Sequence, residues 1–458
     1  MEKQTNKKHN KQKDNSKNKV KIKLQTKEKD SFKEKKEYRK FCLQKFEEFN
    51  NNGKLTVAIF CDTFFPIVDG VINVLDNYAK RLVKMCNVVV FVPEHKGKTV
   101  KKEYLVYGIK SLYFKFVNYD LAFPELDTDF KKIIKHLRID IIHSHSPFFV
   151  GQFAVKLAKK LKIPIVSTFH SQYKQDFYKN TKSESLTKML LSGIMKVFNS
   201  STEVWTMHQK SLETLISYGF KGSSFLIPNA TDFICPPDID KLVNEIDEKY
   251  HLKNVENVFL FVGRLVETKN ILFIVDVMNN LAQKKIPFKM VFVGDGPDEG
   301  KLKAKIKKLN LKDNIILTGR ITDKNLLGAF YKRADLLIFP SFYDTDGLVR
   351  IEAACFKTPS IYAKGSVASY SIKENENGFL AEADVDCFAE KLIEIINNQQ
   401  LLEEVGENAK TQMYIVWDQV INMAYNRYLY LIEKNRKKLK YLEVIRKTKK
   451  KERVKIEK

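Results

Sequence analysis

Apolar residues fall into short runs that end in polar residues, and between those runs they recur at helical spacing. KLTVAIFCD (54–62) reads as a buried strand, and GVINVLDNYAKRLVKM after it as a helix. NVVVFVP (87–93), IDIIHSHS (139–146), PIVSTFH (164–170), STEVWTM (201–207) and SSFLIPNA (223–230) are further strands, with VGQFAVKLAKKLKI a helix among them. The pattern lapses over 231–256. It restarts with VFLFVGR (258–264), a helix near 270–284, FKMVFVGDGP (288–297), a Lys-rich helix, NIILTGR (314–320), DLLIFPS (335–341), another helix and TPSIYA (358–363). Strands alternating with helices predict parallel sheets covered on both faces. The fold class is therefore α/β, with two doubly wound domains, residues 54–235 and 256–410, facing each other across a cleft. A last helix over 411–433, carrying Trp417, is predicted to pack back on the first domain.

Charge sharpens this picture at its two ends. Residues 1–40 hold 16 Lys/Arg against 6 Asp/Glu, and residues 434–458 hold 13 against 3, so most of the formal charge of +25 lies outside the two domains. Residues 1–53 read as a basic, largely disordered tail, and residues 434–458 as a basic tail able to form an amphipathic helix. No stretch of 18 apolar residues and no apolar core of a signal peptide appears. The six cysteines (Cys42, Cys61, Cys86, Cys235, Cys355, Cys387) are scattered without CxxC spacing, which suits a reducing cytosol.

In open α/β sheets ligands bind beyond the carboxyl ends of the strands. In the first domain those positions hold Asp62, Gly70, His143, His145 and His170. In the second they hold Arg264, Lys269, Asp295, Arg320 and the stretch FPSFYDTDGLVRIEAACF (339–356). Arg264 and Lys269 are fixed cations, and Gly347 opens a helix whose free N–H groups favour a phosphate. Glu352 lies inside that helix, where a carboxylate can accept both hydroxyls of a ribose. A nucleotide diphosphate suits this set. Other readings stand beside it: Asp344 and Asp346 have the D-x-D spacing of metal ligands, a carboxylate pair suits a glycosidase, and His143 with His145 could begin a metal site lacking a third ligand.

The motifs VGRLVETKN, FVGDGP, ILTGR and PSFYDTDGLVRIEAA, preceded by FCDTFFPIVDGVINVL, IIHSHSP, STFHSQY and IPNATD, occur in the order seen in retaining glycosyltransferases of family 4. Residues 55–430 resemble that family, which implies the GT-B architecture of two Rossmann-like domains. The resemblance implies a donor site made by Gly70, Val71, Gly263, Arg264, Lys269, Asp295, Gly296, Arg320, Ile321, Asp344, Gly347, Leu348, Val349 and Glu352. In it Asp344 touches the donor sugar, Glu352 the ribose, and Arg264 and Lys269 the departing diphosphate, with no metal and no further cofactor. His170 joins the catalytic group, and His145 and Tyr173 lie on the acceptor side. Asp344 stands where the family usually has Glu, one methylene longer, and Ala230 where glycine is common.

The first-domain signature DTFFPIVDGV resembles members that glucosylate diacylglycerol. The resulting expectation is transfer of a hexose, glucose from UDP-glucose, to a membrane lipid, by a cytoplasmic enzyme peripheral on the anionic inner face of the cell membrane. A lipid-linked or cell-surface glycan is the alternative acceptor, and a nucleotide-sugar epimerase of the same architecture the alternative of another class. Nucleic acid is not an expected partner, because the basic residues sit in the tails and not on a domain surface interleaved with aromatics.

Overall fold

The computed structural model describes residues 34–456 apart from residues 68, 96–98, 115–118, 343, 345 and 346, and only the backbone of 444–456. The first domain holds β1 (Thr56–Phe60), β2 (Asn87–Pro93), β3 (Leu105–Ile109), β4 (Ser111–Phe114), β5 (Tyr119–Ala122), β6 (Ile141–Ser144), β7 (Ile165–Thr168), β8 (Glu203–Thr206) and β9 (Ser224–Leu226). All but β4 and β5 form one parallel sheet in the order β3-β2-β1-β6-β7-β8-β9. β4 and β5 form a separate antiparallel hairpin. The second domain holds β10 (Val258–Val262), β11 (Lys289–Val293), β12 (Ile315–Gly319), β13 (Leu336–Phe339), β14 (Ser360–Ala363) and β15 (Phe379–Ala381), parallel in the order β12-β11-β10-β13-β14-β15.

Successive strand residues point to opposite faces, and each sheet has a core on both. Val57, Ile59 and Cys61 pack with helix Gly70–Leu82, whereas Ala58 and Phe60 pack with helix Phe149–Leu161. In the second domain Phe259 and Phe261 meet helix Ile271–Gln283, and Val258, Leu260 and Val262 meet helix Lys324–Arg333. Among the described residues no helix is long and apolar enough to cross a membrane.

Two terminal expectations change. Residues 34–51, read from their charge as tail, form a helix. Its stripe of Tyr38, Cys42, Phe46 and Phe49 recurs every three or four residues and packs on the β1–β2–β3 side of the first domain. Cys42 and Phe46 are fully buried. Tyr38 Oη donates to Val106 O at 2.6 Å, and Arg39 pairs with Asp129 at 2.9 Å. Residues 1–33 lie outside the described residues.

At the other end, residues 411–413 finish helix Gln399–Met413, and one helix, Trp417–Ile456, takes in both the expected last helix and the expected tail. Lys and Arg are good helix formers, so charge does not stop it. Trp417, Val420, Ile421, Ala424, Tyr428, Leu431 and Ile432 bury one face of it in the first domain. From Glu433 to Glu443 no residue is buried.

Phe46→Ala is expected to destabilise the first domain by about 3–5 kcal/mol, the cost of emptying a buried aromatic site. Denaturant unfolding measures it, and an unchanged midpoint would make the 34–51 helix peripheral.

Candidate donor and acceptor site

Three turns of the second domain are laced together. Gly263 N–H donates to Val293 O at 3.0 Å, Gly294 N–H to Gly319 O at 3.0 Å, and Leu265 N–H to Asp295 O at 2.8 Å. The contact leaves no room for side chains: a Cβ on Gly294 would stand 1.9 Å from Gly263 O, and one on Gly296 would stand 2.3 Å from Leu265 O. The glycines of FVGDGP thus make a floor of bare backbone.

Over this floor lies a cavity of about 790 Å³ between the domains. Gly263, Arg264, Asp295, Arg320 and Ile321 line it from the second domain, and Pro66, Ile67, His95, Tyr113 and Tyr119 from the first. Arg264 and Arg320 are exposed, and among the described residues neither has a carboxylate partner.

Lys269, Asp344, Gly347 and Glu352 form a second group. Asn270 Nδ2 donates to Pro340 O at 2.8 Å, tying the turn that carries Lys269 to the end of β13. There Lys269 forms an ion pair with Asp344, both about four-fifths buried. Asp344 Oδ2 is buried and has no hydrogen-bond partner among the described residues. Asp346 lies outside the described residues. Gly347 caps helix Leu348–Cys355 with φ of 67°, in the left-handed region that suits glycine. That helix presents first-turn N–H groups at Leu348 and Val349, beyond the reach of intrahelical partners. Glu352 is half-buried, and Tyr331, fully buried, donates its hydroxyl to Glu352 Oε2 at 2.6 Å. Burial raises the Glu352 carboxyl above its ordinary value, and the Tyr331 hydrogen bond opposes the rise.

On the first-domain side, Asp69 caps helix Gly70–Leu82, accepting from Ile72 N–H at 2.8 Å and also from Val71 N–H. The Val71 amide expected to face a phosphate is therefore spent on Asp69. Gly70 at the same helix end is exposed.

The acceptor-side expectations need correction. His145 is wholly buried, with Nδ1 3.0 Å from His170 Nε2, so it supports His170 instead of lining a cleft. Tyr173 is 6% exposed within Phe148, Phe169 and Phe177 and is a core residue here. Tyr78 of helix Gly70–Leu82, His143 and His170 pack around His145, which alternation along a strand cannot show. His143 has both nitrogens engaged, Nδ1 with Tyr428 Oη at 2.6 Å and Nε2 with Thr168 Oγ1 at 2.7 Å, leaving no lone pair for a metal. Among the described residues no group of three metal-ligating side chains forms.

Asp62, a strand-end carboxylate, is structural. It accepts from Val150 N–H at 2.7 Å and Ser146 Oγ at 2.6 Å and so holds the start of helix Phe149–Leu161. Cys61 is buried, and burial pushes its thiol up to about 12, far from a nucleophile. The reading of strand ends passed over His95, although it stands two residues after β2.

The three stacked histidines set a pH dependence. Burial lowers His143 and His145 well below the ordinary 6.5 and takes His170 to about 3. Below about 6.5 the unfolded chain binds protons that the folded domain refuses, so stability falls as pH falls, by up to about 1.4 kcal/mol per pH unit for each imidazole. Denaturant titrations at about pH 7.5 and about pH 5 are expected to show that loss. Equal stability at both would mean that the imidazoles charge freely in the folded state.

The chain is similar to known proteins in both domains. The description Glycosyltransferase Family 4 matches residues 68–233, and Glycosyl transferases group 1 matches residues 243–412. The chain is 26% identical over 313 residues to alpha-monoglucosyldiacylglycerol synthase of Streptococcus pneumoniae, covering 67% of this chain and 70% of that one. It is 24% identical over 406 residues to the protein of the same name from Acholeplasma laidlawii, covering 84% and 99%. The crystal structure of Anabaena HepE in complex with UDP is similar with a TM-score of 0.67 at 16% identity, covering 81% of this chain and 99% of that one, a likeness of fold. With one family match on each side of the cleft and both sheets in the doubly wound order, this chain belongs to the GT-B glycosyltransferases and resembles the diacylglycerol glucosyltransferases among them.

Proposed function

We propose that this chain is a retaining hexosyltransferase that moves glucose from UDP-glucose to diacylglycerol or a similar membrane lipid. The observation that carries the donor half is the strand-end set of the second domain. Arg264 is exposed in the cleft, Lys269 is held against Asp344, a helix begins at Gly347, and Glu352 is fixed by Tyr331. In this reading the bond from the anomeric carbon to the diphosphate oxygen breaks as the acceptor oxygen bonds to the same face. The acceptor proton leaves on the departing phosphate. Arg264, Lys269 and the helix end stabilise the charge that develops there, which is the work a metal does in other transferases. The names of the two relatives support glucose and a diacylglycerol acceptor.

The membrane is the proposed partner because residues 437–443 of helix Trp417–Ile456 are all exposed. Leu439, Tyr441 and Leu442 are exposed there among Lys437, Lys438 and Lys440. These exposed residues support the reading of a peripheral enzyme on an anionic inner leaflet.

The donor reading is tested on purified protein with nucleotide sugars and lipid acceptors, with and without EDTA, scored by product mass. Arg264→Ala and Lys269→Ala are each expected to cut turnover by roughly 10²-fold, with activity persisting in EDTA. Lys269→Ala also strands the Asp344 carboxylate, so folded fraction is measured alongside. Near-normal turnover in Arg264→Ala would move the diphosphate elsewhere.

Vesicle co-sedimentation tests the membrane partner. Each basic residue near an anionic surface gains about 1 kcal/mol, so binding is expected to be strong at low salt, lost at high salt and reduced by deleting residues 434–458. Equal sedimentation with neutral and anionic vesicles would remove the membrane from the proposal.

A further inference from the structure

The first-domain wall of the cleft has chemistry that the donor reading does not use. His95 lies two residues beyond the end of β2, and its Nδ1 is 2.6 Å from Asp120 Oδ2. Asp120 is on β5, and its side chain is 8% exposed. A carboxylate at this distance accepts a hydrogen bond from Nδ1–H and so fixes both tautomer and ring orientation, leaving Nε2 as the nitrogen available to a ligand. Tyr113 stands directly opposite Asp120 in the β4–β5 hairpin, so the two share a face. Its ring meets the His95 imidazole edge-on, with centroids 6.3 Å apart. An aromatic wall with one oriented hydrogen-bonding nitrogen is thus built on a buried carboxylate.

Across the cavity from this wall stand Arg320 and Ile321 at the end of β12. Ile321 packs in the same apolar cluster as Tyr331, whose hydroxyl holds Glu352. Leu327 also lines the cavity and lies one helical turn before Tyr331 on helix Lys324–Arg333, so this end of the cavity lies on the side of the carboxylate assigned to the ribose, while Lys269, Asp344 and His170 do not line the cavity. Beyond Arg264 and next to a ribose, the remaining part of a nucleotide donor is its base. A planar heterocycle suits an aliphatic face on one side, an aromatic and imidazole wall on the other, and a hydrogen-bonding atom along its edge.

We propose that His95 and Tyr113, held by Asp120, form a contact for the nucleobase of the donor. The first domain then takes part in choosing the nucleotide as well as the acceptor. This rests on the donor site proposed above. His95 and Tyr113 are substrate-contacting residues, and Asp120 is a positioning residue that acts through His95.

The test is calorimetric titration of the full chain with UDP and, as a base-free probe, pyrophosphate. His95→Ala and Tyr113→Ala are each expected to weaken UDP at least fivefold and pyrophosphate less than twofold. Arg264→Ala is expected to weaken both. Asp120→Asn is expected to weaken UDP in the native chain and to add nothing in the His95→Ala background, which a purely structural role would not produce. The same variants are expected to narrow the difference in KM between UDP-glucose and GDP-glucose. If Arg264→Ala weakens both probes while His95→Ala weakens neither, or both equally, the nucleobase contact is overturned and the donor site stands. If Arg264→Ala weakens neither probe, the donor reading itself fails.

Discussion

A parallel sheet cannot leave a face to water, because its crossovers lay helices on both sides. Both sheets here obey that constraint: alternate residues of β1 and of β10 feed separate cores on the two faces. What remains for ligands is the row of turns where the strands end. In the second domain these turns are hydrogen-bonded to one another, and Gly294 and Gly296 leave no room for a Cβ, so the cleft floor is backbone with side chains only at chosen points. Arg264, Lys269, Asp295 and Arg320 occupy those points.

Two such domains need a joint, and the chain crosses between them twice at one place. Thr231 N–H donates to Ile415 O at 3.0 Å, and Trp417 N–H to Thr231 O at 3.3 Å, so the outgoing and returning segments lie side by side. Asp232, beside that joint, pairs with Lys80 and Arg81 of the first domain and with Lys324 of the second. Burial alone would raise its carboxyl, but Lys324 and Lys80 hold it down to about 2. Lys324 also lowers Glu352, and Asp232 opposes it. The charges of the joint therefore reach the carboxylate proposed to hold the ribose, with opposite signs.

Much of this was legible in the sequence because it is local. Short apolar runs and period-3.6 patterns placed the strands and their helices, and the rule that ligands sit at strand ends singled out Arg264, Asp295, Arg320 and Gly347. The features that escaped are those joining residues far apart. Lys269 and Asp344 pair across 75 positions, His95 and Asp120 across 25, and Asp62 caps a helix 88 residues away. The 34–51 helix was hidden for another reason. Its charge was averaged with that of residues 1–33, and the stripe of Tyr38, Cys42, Phe46 and Phe49 disappears in that average. His145 and Tyr173 were misread because the side chains that bury them come from other elements, His170 and the aromatic cluster around Phe169.

The pairing of Lys269 with Asp344 bears on the shortened acid of the motif. An aspartate reaches less far than the glutamate usual at this place, and here it reaches Lys269 while Oδ2 stays buried, with no hydrogen-bond partner among the described residues. A buried carboxylate oxygen without a donor is costly, and a sugar hydroxyl would satisfy it. On the proposed reading, phosphate and sugar are then recognised by one unit. A diphosphate that draws on the Lys269 ammonium weakens its hold on Asp344, and a hydroxyl bonded to Asp344 restores what the carboxylate loses. Such a unit discriminates against a nucleotide without its sugar, since drawing off Lys269 alone would leave both oxygens of a largely buried carboxylate poorly satisfied. On that reading the missing methylene belongs to the same arrangement as the ion pair, and the two together would tie diphosphate binding to the presence of the sugar.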